Sequence, residues 1–142
     1  MSYDPANIFA RILRGELPAH VVEETEHTLT FMDIMPKANG HALVIPKEDA
    51  PNIYDISDGA LRNLITQVKR VAKASKLAYP GNGIRVIQLN GSEAGQSVFH
   101  LHFHVIPSAD GMNFGFHGGA SADEASLAEH AQRLKQALAT FA

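Results

Sequence analysis

Cysteine is missing from all 142 residues. Its absence excludes disulfides and any chemistry that needs a thiolate, and it suits a cytoplasmic address. The chain also lacks a run of about 18 apolar residues of the kind that spans a bilayer. Its opening, MSYDPANIF, lacks the basic-then-apolar pattern of a secretory signal. The formal net charge is −3, so there is no basic footprint for nucleic acid. Neither membrane nor nucleic acid is expected as a partner. No internal repeat and no long low-complexity segment interrupts the chain. What is present is the length of one compact domain, with apolar and charged fractions ordinary for a globular protein.

The most informative stretch is residues 96–107, QSVFHLHFHVIP. His100, His102 and His104 alternate with Leu101, Phe103 and Val105, which is the period of a β-strand. On a strand the three imidazoles line one face and the apolar residues pack from the other. Pro107 is expected to end the run, because proline cannot donate to a ladder. Three explanations compete. One is chance. A second is metal binding, since neutral imidazole is a common zinc ligand. However, residues i and i+4 of a flat strand lie roughly 13 Å apart, whereas zinc–nitrogen bonds are about 2 Å. One ion therefore cannot hold all three rings, although two of them could chelate with a ligand from elsewhere in the chain. The third is nucleophilic and acid–base catalysis by imidazole near neutral pH. In that case the central His102 reacts, and its neighbours orient it and contact the substrate.

Other segments supply a frame. Residues 5–15 read as a short helix started by Pro5 and stopped by Gly15, with Ile8, Phe9, Ile12 and Leu13 on one face. Strands are expected at 20–24, 28–32, 41–46, 84–90 and 99–106. A long helix is expected from Ser57 to about Tyr79, with Leu61, Leu64, Ile65, Val68, Val71 and Ala72 on its apolar face and Pro80-Gly81 as its stop. In the strand at 84–90, Ile84 and Val86 take one face and Ile87 and Leu89 the other, which suggests burial on both sides or cover by a partner. SADE (121–124) reads as a capping box. It opens a C-terminal helix running to about Thr140, with Leu127, Ala131, Leu134 and Leu138 on one face. The division expected is a core at 1–107 and a C-terminal loop and helix at 108–142, packed on or extending the same domain.

HLHFHVI resembles the His-x-His-x-His signature of the histidine triad (HIT) family of nucleotide hydrolases and transferases. NIFARILRGELPAHVVEE, FMDIMP, GHALVIPK and GQSVFHLHFHV extend the resemblance over roughly residues 5–107. They resemble in particular the branch of purine nucleoside phosphoramidases. The resemblance implies an α+β fold, with an antiparallel sheet of about five strands, a long helix, a short N-terminal helix and a C-terminal helix. It also implies a homodimer joined through the strand at 84–90 and the long helix.

For the site, the resemblance implies that Ile8, Phe9, Ile12, Phe31 and Ile34 wall the base, and that Asp33 binds the ribose. Asn90, Gly95, Gln96 and Ser97 would meet the phosphate or leaving group, and His41 would support the triad. His102 would form a covalent nucleotidyl-histidine, flanked by His100 and His104, with no metal or other cofactor required. The substrate implied is a purine nucleotide, most simply a nucleoside 5'-phosphoramidate. The alternatives are a dinucleoside polyphosphate hydrolase and a nucleotide-binding regulatory protein with vestigial activity. The best-known members of the branch end sooner after the triad, so the segment 108–142 departs from the pattern. His117, within it, is a candidate extra catalytic group.

Overall fold

A computed structural model describes residues 2–109 and 121–141. Phe114, Phe116 and His117 lie outside the described residues. Five strands form one antiparallel sheet: β1 (Val21–Glu24), β2 (Thr28–Met32), β3 (Ala42–Pro46), β4 (Gly83–Ile87) and β5 (Phe103–Ser108), in the spatial order β1-β2-β3-β5-β4. Three α-helices complete the described fold: α1 (Ile8–Leu13), α2 (Asp58–Ala78) and α3 (Glu124–Ala139). The α+β class and the helix count agree with expectation.

Strand alternation divides the sheet into two faces with different duties. Met32, Ala42, Val44, Phe103 and Val105 join Leu64, Val68 and Val71 of α2 and Leu127, Ala131, Leu134 and Leu138 of α3 in the main core. Leu29, Phe31, Leu43 and Ile45 point the other way and pack with Phe9 of α1. All five residues of β2 and of β3 are buried, as two-sided cover requires. The C-terminal helix thus belongs to the same core as the long helix. Ile65 is the exception on α2: it lies on the expected apolar face but is half-exposed.

Caps set the helix ends. Asn7, not Pro5, starts α1, its side chain accepting from the Ala10 N–H at 2.9 Å. Gly15 (φ +77°) ends it, and the Glu16 N–H bonds the Arg11 carbonyl at 2.8 Å. Ser57 caps α2. In α3 the cap is Asp123, accepting from the Ser126 N–H at 2.7 Å. Ser121 therefore does not cap, and Glu124 is the first helical residue.

Four expectations about strands are corrected. The strand expected at 84–90 stops at Ile87, because Gln88 and Asn90 pair their side-chain amides with each other and Asn90 accepts from the Ile53 N–H. This strand is also not buried on both sides within one chain: β4 is a sheet edge and Val86 is 45% exposed. The triad strand begins only at Phe103, so His100 and His102 precede it and His104 alone lies within it. The cause is local: the Leu101 N–H bonds the Ala50 carbonyl at 2.8 Å, which diverts the chain from the sheet. Pro107 does not end β5. It pairs with Ile84 of β4 beyond the last β3 pairing, Ala42 with Val105. There one flank of β5 is open, the place in a sheet that tolerates a residue without an N–H.

Tyr79, at the end of α2, ties three parts together. Its hydroxyl is 2.6 Å from Nδ1 of His130 on α3. Its ring lies against Gly40 (φ +86°), where an added Cβ would come within 2.4 Å of ring carbons. Gly81 has a similar φ of +89° but open space around it. Gly81→Ala therefore costs backbone strain alone, about 1 kcal/mol. Gly40→Ala adds the clash and should cost roughly 2–4 kcal/mol, a difference that denaturant unfolding of the two variants resolves.

Candidate active site

The α1 face of the sheet carries a cavity of about 570 Å³, a volume that suits a small-molecule ligand. Its floor follows a row of cross-strand neighbours: Phe31 on β2 pairs with Leu43 on β3, which pairs with His104 on β5. Ile8, Phe9 and Ile12 of α1, together with Phe31 and Ile34, line it as expected for a base wall. Ile8 and Ile34 are about half-exposed, so the cavity offers apolar surface to a flat ligand. Asp33, His41, His102, His104, Gly95 and Ser97 line it as well.

The proton on each ring follows from its partners. Nδ1 of His102 lies 2.7 Å from the carbonyl oxygen of His100. A carbonyl only accepts, so Nδ1 carries the hydrogen, and Nε2 of this neutral ring holds the free lone pair. His41 is the reverse case: its Nδ1 accepts from the Lys37 backbone N–H at 3.0 Å, which leaves the hydrogen on Nε2. That Nε2–H donates to Nδ1 of His104 at 2.9 Å, with Oδ2 of Asp33 at 3.4 Å. His104 therefore carries its own hydrogen on Nε2. The cavity thus meets one nucleophilic nitrogen, on His102, beside one N–H donor, on His104. The two rings stand 5.1 Å apart, centre to centre.

Burial keeps these rings neutral. It is the largest cause holding His102 and His41 down to about 4, and His104 to about 3, against an ordinary 6.5. The neighbouring imidazoles and the Lys37 ammonium add to this: His100 acts on His102, Lys37 and His102 on His41, and His102, His41 and Lys37 on His104. Burial also raises Asp33, against the opposing Met35 N–H and the Lys37 charge.

His100 does not share the cavity face with His102 and His104. It is fully buried. Its Nε2–H donates to the Pro46 carbonyl at 2.8 Å, and its Nδ1 accepts from the Tyr3 hydroxyl at 2.7 Å. It acts on the site through its backbone oxygen. Asn90 and Gln96 are likewise absent from the described lining. Asn90 is engaged with Gln88 and Ile53, while Gln96 accepts from the Gly91 N–H and donates to the Pro51 and Val98 carbonyls. Both amides brace the loop that presents Gly95 and Ser97.

Several lining residues carried no local signal in the sequence, among them His20, Lys37 and Glu124. Phe9 also has a second role: its ring meets that of His102 edge-on, 4.9 Å between centres.

Among the described residues, Asp33, His41 and His104 place ligand-type atoms within 4.8 Å of one another. The donor chemistry does not suit a metal there. The Lys37 N–H occupies the lone pair on Nδ1 of His41, so Nε2 carries a hydrogen rather than the lone pair a metal needs.

A family profile described as the HIT domain matches residues 14–111. The chain is 37% identical over 139 residues to adenosine 5'-monophosphoramidase HNT1 of Candida albicans, covering 93% of this chain and 91% of that protein. It is 44% identical over 100 residues to the adenosine 5'-monophosphoramidase of Schizosaccharomyces pombe, covering 70% and 72%. Among solved structures, a Hit-like protein from Bartonella henselae, described as involved in cell-cycle regulation, superposes with a TM-score of 0.90. The identity is 39%, covering 96% of this chain and 99% of that one. With its paired-histidine cavity on one face of the sheet and a match spanning most of its length, the chain belongs to the HIT family.

Proposed function

We propose that the protein hydrolyses purine nucleoside 5'-phosphoramidates through a covalent intermediate on His102. The observation that carries this reading is the free lone pair on Nε2 of His102, which is turned into the cavity because Nδ1–H is committed to the His100 carbonyl. The names of the fungal relatives support the substrate class.

Nε2 of His102 attacks the α-phosphorus and the P–N bond breaks. The nitrogen leaves with the electron pair and takes a proton from solvent as it departs as an amine. Water then attacks the phosphorus of the nucleotidyl-histidine, the P–Nε2 bond breaks, and the nucleoside monophosphate is released. The proton shed by this water replaces the one the amine took. Nε2–H of His104 donates to a phosphoryl oxygen while charge builds there. The backbone N–H groups around Gly95 and the Ser97 hydroxyl meet the remaining oxygens or the leaving group. Asp33 accepts from the ribose hydroxyls, and the base lies among Ile8, Phe9, Ile12, Phe31 and Ile34. His41 holds His104 in its tautomer, and His100 holds His102. The rings and backbone groups supply all of this chemistry without a cofactor.

We also propose that two copies join through β4. It is an edge strand bearing an exposed Val86, and a bare apolar edge invites pairing with another chain.

A fluorogenic adenosine phosphoramidate assayed in EDTA tests the first proposal. Wild type turns over, and His102→Ala loses at least about 10⁴-fold in kcat, as removal of a covalent nucleophile does, with its melting temperature near wild type. Silence from both, with AMP still bound, would move the assignment to polyphosphate substrates or a binding role. The pH profile is a separate test. An imidazole at its ordinary 6.5 would make kcat/KM fall below that pH. With His102 held at about 4, kcat/KM should stay level from pH 7 to about 5 and fall only as pH approaches 4. For the dimer, Val86→Arg should shift the sedimenting species to the mass of one chain. A wild-type protein that already sediments as one chain would end that proposal.

A further inference from the structure

His20 and Glu124 line the same cavity as the histidines but take no part in the reaction proposed above. They mark its opposite end. Val21 pairs with Phe31, Phe31 with Leu43, and Leu43 with His104, so the row crosses four neighbouring strands from β1 to β5. Three strand spacings amount to roughly 14 Å. His20 immediately precedes β1, and its carbonyl accepts from the Met32 N–H at 3.0 Å, which fixes it beside the end of β2. A nucleotide with its phosphorus at His102 and its base over Phe31 points the far edge of that base toward this end.

Glu124 reaches the cavity from the start of α3. The segment before it is anchored there, the Ala122 N–H bonding the Ile34 carbonyl at 3.0 Å. Oε2 of Glu124 lies 2.5 Å from Nε2 of His20, which leaves Oε1 without that partner. Held by His20 and 86% exposed, the carboxylate has, among the described residues, an oxygen open to a ligand.

Resting on the purine nucleotide reading above, we propose that Glu124, held by His20, makes this site prefer guanine over adenine. Ionised carboxylates only accept hydrogen bonds. The outer edge of guanine offers two adjacent N–H donors, at N1 and the 2-amino group. Adenine offers one amino donor beside the lone pair of N1, which a carboxylate repels. The Glu124 side chain is 86% exposed, so water competes for the same donors and the preference expected is about threefold. The residue that sets the preference lies in the C-terminal segment, outside the matched HIT domain residues 14–111.

Calorimetric titration of the full chain with GMP and with AMP tests this. Wild type should bind GMP about threefold more tightly than AMP. Glu124→Gln offers an amide that can donate to N1 of adenine and accept from its amino group. It should bring the ratio to one or invert it. His20→Ala, which frees the carboxylate from its hold, should lower the ratio less. Asp123 still caps α3 in both variants, and melting temperatures near wild type would show the fold kept. Equal affinities in wild type, or a GMP preference that Glu124→Gln leaves unchanged, would overturn this inference while leaving the nucleotide reading in place. Failure of both nucleotides to bind would overturn the two together.

Discussion

The short hydrogen bond from Nδ1 of His102 to the carbonyl of His100 is the constraint on which the site depends. It settles which nitrogen of the central ring is protonated, and so which one can react. For this bond to form, the His100 backbone must turn its carbonyl toward the next-but-one side chain, which it cannot do inside a flat ladder. The chain accordingly leaves the sheet before Phe103. It is held by the Leu101 N–H on Ala50 and by the His100 ring between Pro46 and Tyr3. The fully buried ring of His100 serves as an anchor for its own backbone oxygen.

A second chain of bonds does the same for His104. The Lys37 N–H sets the tautomer of His41, and His41 sets that of His104. Both chains start from backbone groups, whose donor or acceptor character cannot change with pH. Burial then keeps the rings uncharged, so the proton inventory of the site is stable across ordinary pH. The sheet makes this arrangement affordable by giving one face entirely to helix packing. With α2 and α3 covering that face, the α1 face is left to hold a cavity. Tyr79 links the two sides by joining His130 of α3 to the turn at Gly40 just ahead of His41.

Much of the frame was legible in the sequence. The 3.6-residue apolar stripes of α2 and α3, the alternation of TLTFM in β2 and the apolar run ALVIP of β3 are local patterns, and each element formed close to where its pattern lay. The apolar lining of the cavity at Ile8, Phe9, Ile12, Phe31 and Ile34 was legible too, through the resemblance at NIFARIL and FMDI. Less accurate were the positions where side chains compete with the backbone. Asn7 and Asp123 displaced the expected caps, and Gln88 with Asn90 cut β4 short. Pro107 was misread because its tolerance depends on whether a neighbouring strand reaches that far.

By itself, the sequence determined which residue types the site would use. Three histidines at spacing two, a supporting His41, a single Asp33 and an apolar slot are properties of the order of residues. Only the tertiary structure decided what each ring does. His100 and His104 are equivalent in spacing, yet one is an anchor in the core and the other faces the cavity. Asn90 and Gln96 look as well suited to phosphate as Ser97, yet they hold the loop together. His20 and Glu124 are 104 positions apart and meet only because α3 starts beside β1. The physical reason is common to these cases. A hydrogen-bonding group is defined by its partner, and partners distant in sequence are chosen by the packing of the sheet and helices, not by local pattern.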